Sequence, residues 1–125
     1  VADVLLRVHR SYLPILRSHL PRIHALAHIT GGGIPGNLNR ALPSTLDAAV
    51  HTSTWAVPNV FERLGAAGAV SRDELFRAFN MGVGMMVLVS PEDRDGVIAS
   101  ATAAGIKAWH AGDVVPGSGT VRLDP

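Results

Sequence analysis

The chain has 125 residues, 47% of them hydrophobic and 17% charged. That is enough for one packed domain and too apolar for disorder. Eleven Lys and Arg nearly cancel ten Asp and Glu for a formal net charge of +1, and no run of like charge offers the basic face that nucleic acid needs. Cys is absent, which excludes disulfides, zinc fingers and thiol catalysis.

No apolar stretch reaches the roughly 18 residues of a membrane span. The opening VADVLLRVHRSYL lacks the basic leader and long apolar run of a signal peptide. A cytoplasmic setting is therefore expected, with neither membrane nor nucleic acid as partner. The first residue is Val1 rather than Met, and the expectation is a piece of a longer protein.

In chain order, Val4, Leu5, Val8, Tyr12 and Leu16 recur at helical spacing. They predict an amphipathic helix that breaks near Pro14 and ends by Pro21. Ile23 to Thr30 is a short apolar run bounded by Pro21 and three glycines, and reads as a buried strand. After the loop Gly31–Gly33, Pro35 opens a short helix through Leu38 and Leu42 that Pro43 closes. Leu46 to Thr52 is a second strand. Pro58 opens a helix through Val60, Phe61 and Leu64 that stops at Gly68. Ser71 with Glu74 forms a capping box for the next helix, which runs to about Phe79.

Met81 to Val89 reads as a strand buried on both faces. Ser90 caps a helix with Pro91 at its first position, ending at Gly105. Ile106 to Val115 and Thr120 to Leu123 are two last strands, expected to form a hairpin across Pro116–Gly119. The alternation predicts one α/β domain over residues 1–125, of the two-layer α+β kind. It is expected to have a mixed sheet with helices on one face and to lack its first strand, a gap that would leave an open edge for self-association.

Thr30-Gly31-Gly32-Gly33, followed by Ile34-Pro35-Gly36-Asn37, is the most informative stretch. Glycines let backbone N–H groups approach an anion closely, and a following helix N-terminus adds partial positive charge. The loop fits neither the phosphate-loop nor the dinucleotide fingerprint, so a tight turn without ligand is the competing reading. His24, Leu26 and His28 share one strand face. His28, at the strand end beside the glycines, is placed to act as an acid or base near neutral pH, with a histidine bonded to backbone as the alternative. His24, His28 and His51 lack a metal-site spacing, and no metal ligands are assigned.

In Phe79-Asn80-Met81-Gly82-Val83-Gly84-Met85-Met86, Asn80 can point its amide into a site. Gly82 and Gly84, two apart, bare one strand face to a ligand or another backbone. The acids Asp47, Glu62, Asp73, Glu74, Glu92, Asp93 and Asp95 are scattered over helix starts and exposed faces, with no acid–base pair. Trp55 and Trp109 read as packing residues.

Taken together, these stretches resemble aminoimidazole ribonucleotide synthetase, the purine-pathway cyclo-ligase. HALAHITGGGIPGNLNRALP is similar to the family's His-x-Thr-Gly-Gly-Gly segment. Thr54-Trp55 with Pro58 and Phe61 is similar to its Trp…Pro…Phe stretch. Phe79 to Met85 is similar to its Phe-Asn-x-Gly-hydrophobic-Gly-Met signature. Leu5-Leu6-Arg7 with Arg10 and Tyr12 resembles Leu-Leu-x-Pro-Thr-Arg-x-Tyr, with Val8 and His9 in place of Pro-Thr. The likeness covers nearly the whole chain, as the C-terminal domain of such an enzyme.

The resemblance implies closure of the imidazole ring of formylglycinamidine ribonucleotide, with ATP and Mg²⁺ held mainly by an N-terminal ATP-binding domain in a homodimer. It implies His28 as the acid–base or phosphoryl-intermediate residue, Thr30, Gly31, Gly32 and Gly33 as the loop near substrate and phosphates, and Asn80 at the site edge. The N-terminal domain and the Ser-Gly-x-His-Ser-Asn-Gly segment are absent from this chain. It is therefore expected to be inactive alone and to hold neither cofactor itself. A free-standing anion-binding or interaction module is the alternative.

Overall fold

A computed structural model describes residues 2–125. Its elements are α1 (Ala2–Leu5), α2 (Leu13–Leu16) running into a 3-10 stretch (Arg17–Arg22), β1 (Ile23–His28), α3 (Gly33–Asn39), β2 (Leu46–His51), a 3-10 turn (Thr52–Thr54), α4 (Asn59–Gly68), α5 (Arg72–Ala78), β3 (Met85–Val89), α6 (Pro91–Ala103), β4 (Gly112–Pro116) and β5 (Val121–Asp124). The fold is α+β, with parallel and antiparallel pairing in one of its sheets.

The strands form two sheets. β1 pairs antiparallel with β3, bringing His28 opposite Met85. β2 is the middle strand of the other, antiparallel to β4 and parallel to β5. The expected β4–β5 hairpin is therefore corrected, because the two strands lie on opposite sides of β2. The reason sits in the connection. The Asp47 carboxylate accepts backbone N–H bonds from Ser118 and Thr120, each 2.8 Å, and Gly117 and Gly119 donate to the carbonyls of Thr45 and Leu46. The connection is thus tied across the start of β2 rather than closing a hairpin, and Asp47 is a loop anchor rather than a scattered surface acid.

The N-terminal helix is also corrected. α1 is a single turn with no buried residue, Leu6 and Val8 are 81% and 90% exposed, and Pro21 lies inside the 3-10 stretch. A helix this short gains too few hydrogen bonds to offset nucleation, and it buries nothing that would compensate. The other boundaries shift by a few residues. β1 ends at His28, although the Ile29 N–H still reaches the Gly84 carbonyl at 3.0 Å. β3 starts at Met85 because Met81 and Gly82 take left-handed φ of 51° and 92°, which no strand accommodates. β3 is half-buried along its length rather than buried on both faces. Ile106 to Ala111 precede β4 without strand structure.

The core joins Ala27 of β1 and Ile29 just after it, Ile34 and Leu38 of α3, Ala48 and Val50 of β2, and Leu75 and Phe76 of α5. Trp55, Met81 and Val83 complete it. The expected packing role of the tryptophans holds. Buried Trp55 donates its Nε1–H to the Met81 carbonyl at 3.0 Å, and Trp109 tilts against it with ring centroids 5.9 Å apart. Ser71 caps α5 as expected, accepting from the Glu74 N–H at 3.2 Å. Ser90 does occupy the position before α6, but its hydroxyl makes no cap bond. It pairs instead with the His24 ring at 2.9 Å.

Candidate functional site

β1 places His24, Leu26 and His28 on its exposed face while Ala27 is buried, as period-two geometry dictates. His28 is exposed at the strand end. Its ring meets the His9 ring edge-on, centroids 5.5 Å apart. His9 lies in the irregular stretch between α1 and α2, so the N-terminal segment is folded over the end of β1. Sequence reasoning gave His9 no role.

The glycine loop is built from its carbonyl side. The Asn37 side-chain amide, on buried α3, donates to the carbonyls of Gly33 at 2.8 Å and of Thr30 and Gly31 at 3.3 Å. Its Oδ1 accepts from the Thr30 hydroxyl at 3.4 Å. An amide has two N–H bonds, so the two longer contacts share one of them. Asn37 thus fixes the loop and was missed as a site residue. The signal available was a polar residue on the face of a short helix that also carries Ile34 and Leu38.

The three glycines do different jobs. Gly32 and Gly33 take φ of 97° and 61°, and a Cβ at Gly33 would fall on the Phe76 carbonyl oxygen and lie 3.0 Å from that of Phe79. Gly33 is thus the contact through which α3 packs on α5. Gly31 is exposed, with nothing near a would-be Cβ. Thr30 to Gly32 therefore form the solvent-facing part of the loop. α3 has seven residues, and its first turn is occupied by the loop it continues, so the anion reading gains nothing from the helix end.

Asn80 sits beside this loop. Its Oδ1 accepts the Gly82 N–H at 3.0 Å and its carbonyl accepts the Val83 N–H at 2.9 Å, an Asx turn. Only its NH₂ is left for a ligand. Gly82 and Gly84 do not bare a strand face as expected, because they belong to this turn and its exit. Gly84 faces the Tyr12 hydroxyl, which would clash with any Cβ there. Among the described residues no three His, Asp or Glu side chains converge on a point where a metal ion could be held. No helix among them is long and apolar enough to cross a membrane.

Three separate segments thus meet. His9 and Tyr12 of the N-terminal stretch touch His28 and Gly84, and the glycine loop leans on the segment ending at Phe79. The model of "AIR synthase related protein, C-terminal domain" matches residues 1–124. The chain belongs to that family.

Two relatives named phosphoribosylformylglycinamidine cyclo-ligase extend the picture. The one from Myxococcus xanthus is 38% identical over 100% of this chain and 37% of its own length. The one from Anaeromyxobacter dehalogenans is 39% identical over 94% of this chain and 34% of its own length. The chain spans little more than a third of the length of these curated relatives.

Proposed function

We infer that this AIR synthase C-terminal domain is the substrate-side part of an ATP-dependent cyclo-ligase that converts formylglycinamidine ribonucleotide to aminoimidazole ribonucleotide in purine biosynthesis. The observation that carries the reading is the convergence just described. The segments that resemble the cyclo-ligase are far apart in sequence, yet His9 and His28, Tyr12 and Gly84, and Gly33 and Phe79 are brought into contact around one strand end.

In this reading exposed His28 exchanges a proton with the substrate. Thr30, Gly31 and Gly32 line the ribonucleotide, with Gly33 as the hinge behind them. The Asn80 NH₂ contacts the substrate edge. By likeness to the cyclo-ligase family, ATP and Mg²⁺ are assigned to an N-terminal ATP-binding domain in the remaining length of such enzymes, within a cytoplasmic homodimer. The 125-residue chain alone is inactive in this reading.

The test is ATP-dependent ring closure by the protein at the full length of its relatives, by the 125-residue chain alone, and by the full-length His28→Ala variant. Turnover by the first only, with the His28→Ala rate reduced on the order of a hundredfold, is expected. Robust turnover by the short chain, or by His28→Ala at the parent rate, would overturn the reading.

A further inference from the structure

We propose that His9 is a positioning residue for His28, holding its ring in the orientation that the ring-closure step uses. The proposal rests on the cyclo-ligase reading of His28 and adds to it a residue of the N-terminal stretch.

The need for such a residue is physical. His28 is exposed at the end of β1, and an exposed side chain with no fixed partner spreads over several rotamers. Proton exchange with a bound substrate asks for a group held to within about half an ångström. The exposed face of β1 does not supply that hold, since its other histidine, His24, gives its ring to Ser90 at 2.9 Å. The His9 ring does supply it. It meets His28 with centroids 5.5 Å apart and planes at 85°. An edge-to-face contact of this kind favours the paired over the unpaired arrangement by roughly two- to twelvefold.

The kind of contact matters as much as its presence. His19, His24 and His110 each engage a ring nitrogen with Ser100, Ser90 and Asp113. Among the described residues neither His9 nor His28 makes such a bond. A hydrogen-bonded partner would hold the ring but occupy a nitrogen and select a tautomer. An edge contact sets the plane of the ring and leaves the His28 nitrogens free of protein partners.

His9 can hold because it is itself held. Three residues on, the Tyr12 hydroxyl stands over Gly84 in the space that a Cβ would take. The Gly84 carbonyl accepts the N–H of Ile29, the residue after His28, at 3.0 Å. The Tyr12 carbonyl accepts the N–H groups of Ile15 and Leu16 at 3.1 Å, and Leu16 is buried. A closed circuit thus runs from His28 through Ile29, Gly84 and Tyr12 to His9, and back across the ring pair. Val8 and His9 stand where the pattern that the chain resembles has Pro-Thr, so the ring contact belongs to this chain rather than to that pattern.

The test uses His9→Ala and His9→Phe, the second of which keeps an aromatic edge without ring nitrogens. In the protein at the full length of its relatives, His9→Ala should lower kcat about fivefold and leave KM unchanged. His9→Phe should restore kcat to within about twofold of the parent. In the 125-residue chain, the His28 ring-proton NMR signals should shift in His9→Ala, while the core amides of Trp55 and Phe76 stay in place and report an intact fold. Parent kcat in His9→Ala, a change in KM alone, no rescue by His9→Phe, or unmoved His28 ring signals would overturn the proposal. His28→Ala separates the two readings. If it turns over at the parent rate, the cyclo-ligase role of His28 fails and the positioning role with it. If it is impaired while His9→Ala is not, the positioning role alone fails.

Discussion

Individual residues of the glycine loop answer different demands, and substitution separates them. Gly31→Ala meets open space and should change stability by no more than about 0.5 kcal/mol. Gly33→Ala places a methyl on the Phe76 carbonyl at a left-handed φ of 61°. It should cost more than about 3 kcal/mol or prevent folding. Urea denaturation of the pair checks this, and similar midpoints for both would contradict it.

Asp47 gives a residue-scale pH dependence. Backbone N–H bonds from Thr120 and Ser118 hold its carboxyl below the ordinary value of 3.8. A depressed folded-state pKa means that the stabilisation is fully present above that ordinary value and is lost as pH falls through the lowered one. Chemical denaturation between pH 7 and pH 2 should show an acid limb that Asp47→Asn flattens. An unchanged limb would show that other carboxylates dominate. The strand end at His28 and the turn through Gly31–Gly33 were legible because a short apolar run stops at three glycines. The roles of Asn37 and Asp47 were not, since each acts on backbone polar groups of a loop, and only the place of Asn37 on the face of Ile34 and Leu38 hinted at one.

Among the elements, α5 couples a cap to the site. Ser71 starts it, Phe76 sits in the core, and the carbonyl of Phe76 receives Gly33. Ser71→Ala should lower stability by about 1 kcal/mol and broaden the amide signals of Gly31–Gly33, because the surface they lean on loosens. Sharp, unshifted loop signals in a destabilised variant would break that link. Element types followed from periodicity and punctuation wherever burial was one-sided, as in β1, α4 and α5. Extent and pairing failed where a partner decided. The helix at Ala2–Leu5 is a single turn with no buried residue, and β4 and β5 are strands as expected but lie on either side of β2. Gly82 and Gly84 looked like strand positions because spacing alone does not reveal that Asn80 turns the backbone ahead of them.

At the scale of the whole molecule, the two sheets leave strand edges unpaired. Between β3 and β4 lies an apolar cavity of about 370 Å³, walled also by Val97 and Ala101 of α6. Unpaired edges next to apolar surface favour association, and exposed Leu6 and Val8 add to that surface. The chain should therefore self-associate with rising concentration in light scattering, and a Lys substitution at Val87 in β3 should suppress it. A monomer at millimolar concentration would contradict this.

One consequence of the β2 position concerns time rather than shape. Its antiparallel partner and its parallel partner both arrive late, and the Thr120 bond that ties their connection closes on Asp47 across a separation of 73 positions. A ladder assembled from such distant parts forms slowly. Until then the Ala48–Val50 run, buried in the finished sheet, is an exposed apolar strand without neighbours. The interval between making β2 and recruiting β5 is where a nascent chain is most vulnerable to mispairing with another copy, and the Asp47 anchor is the contact that ends it.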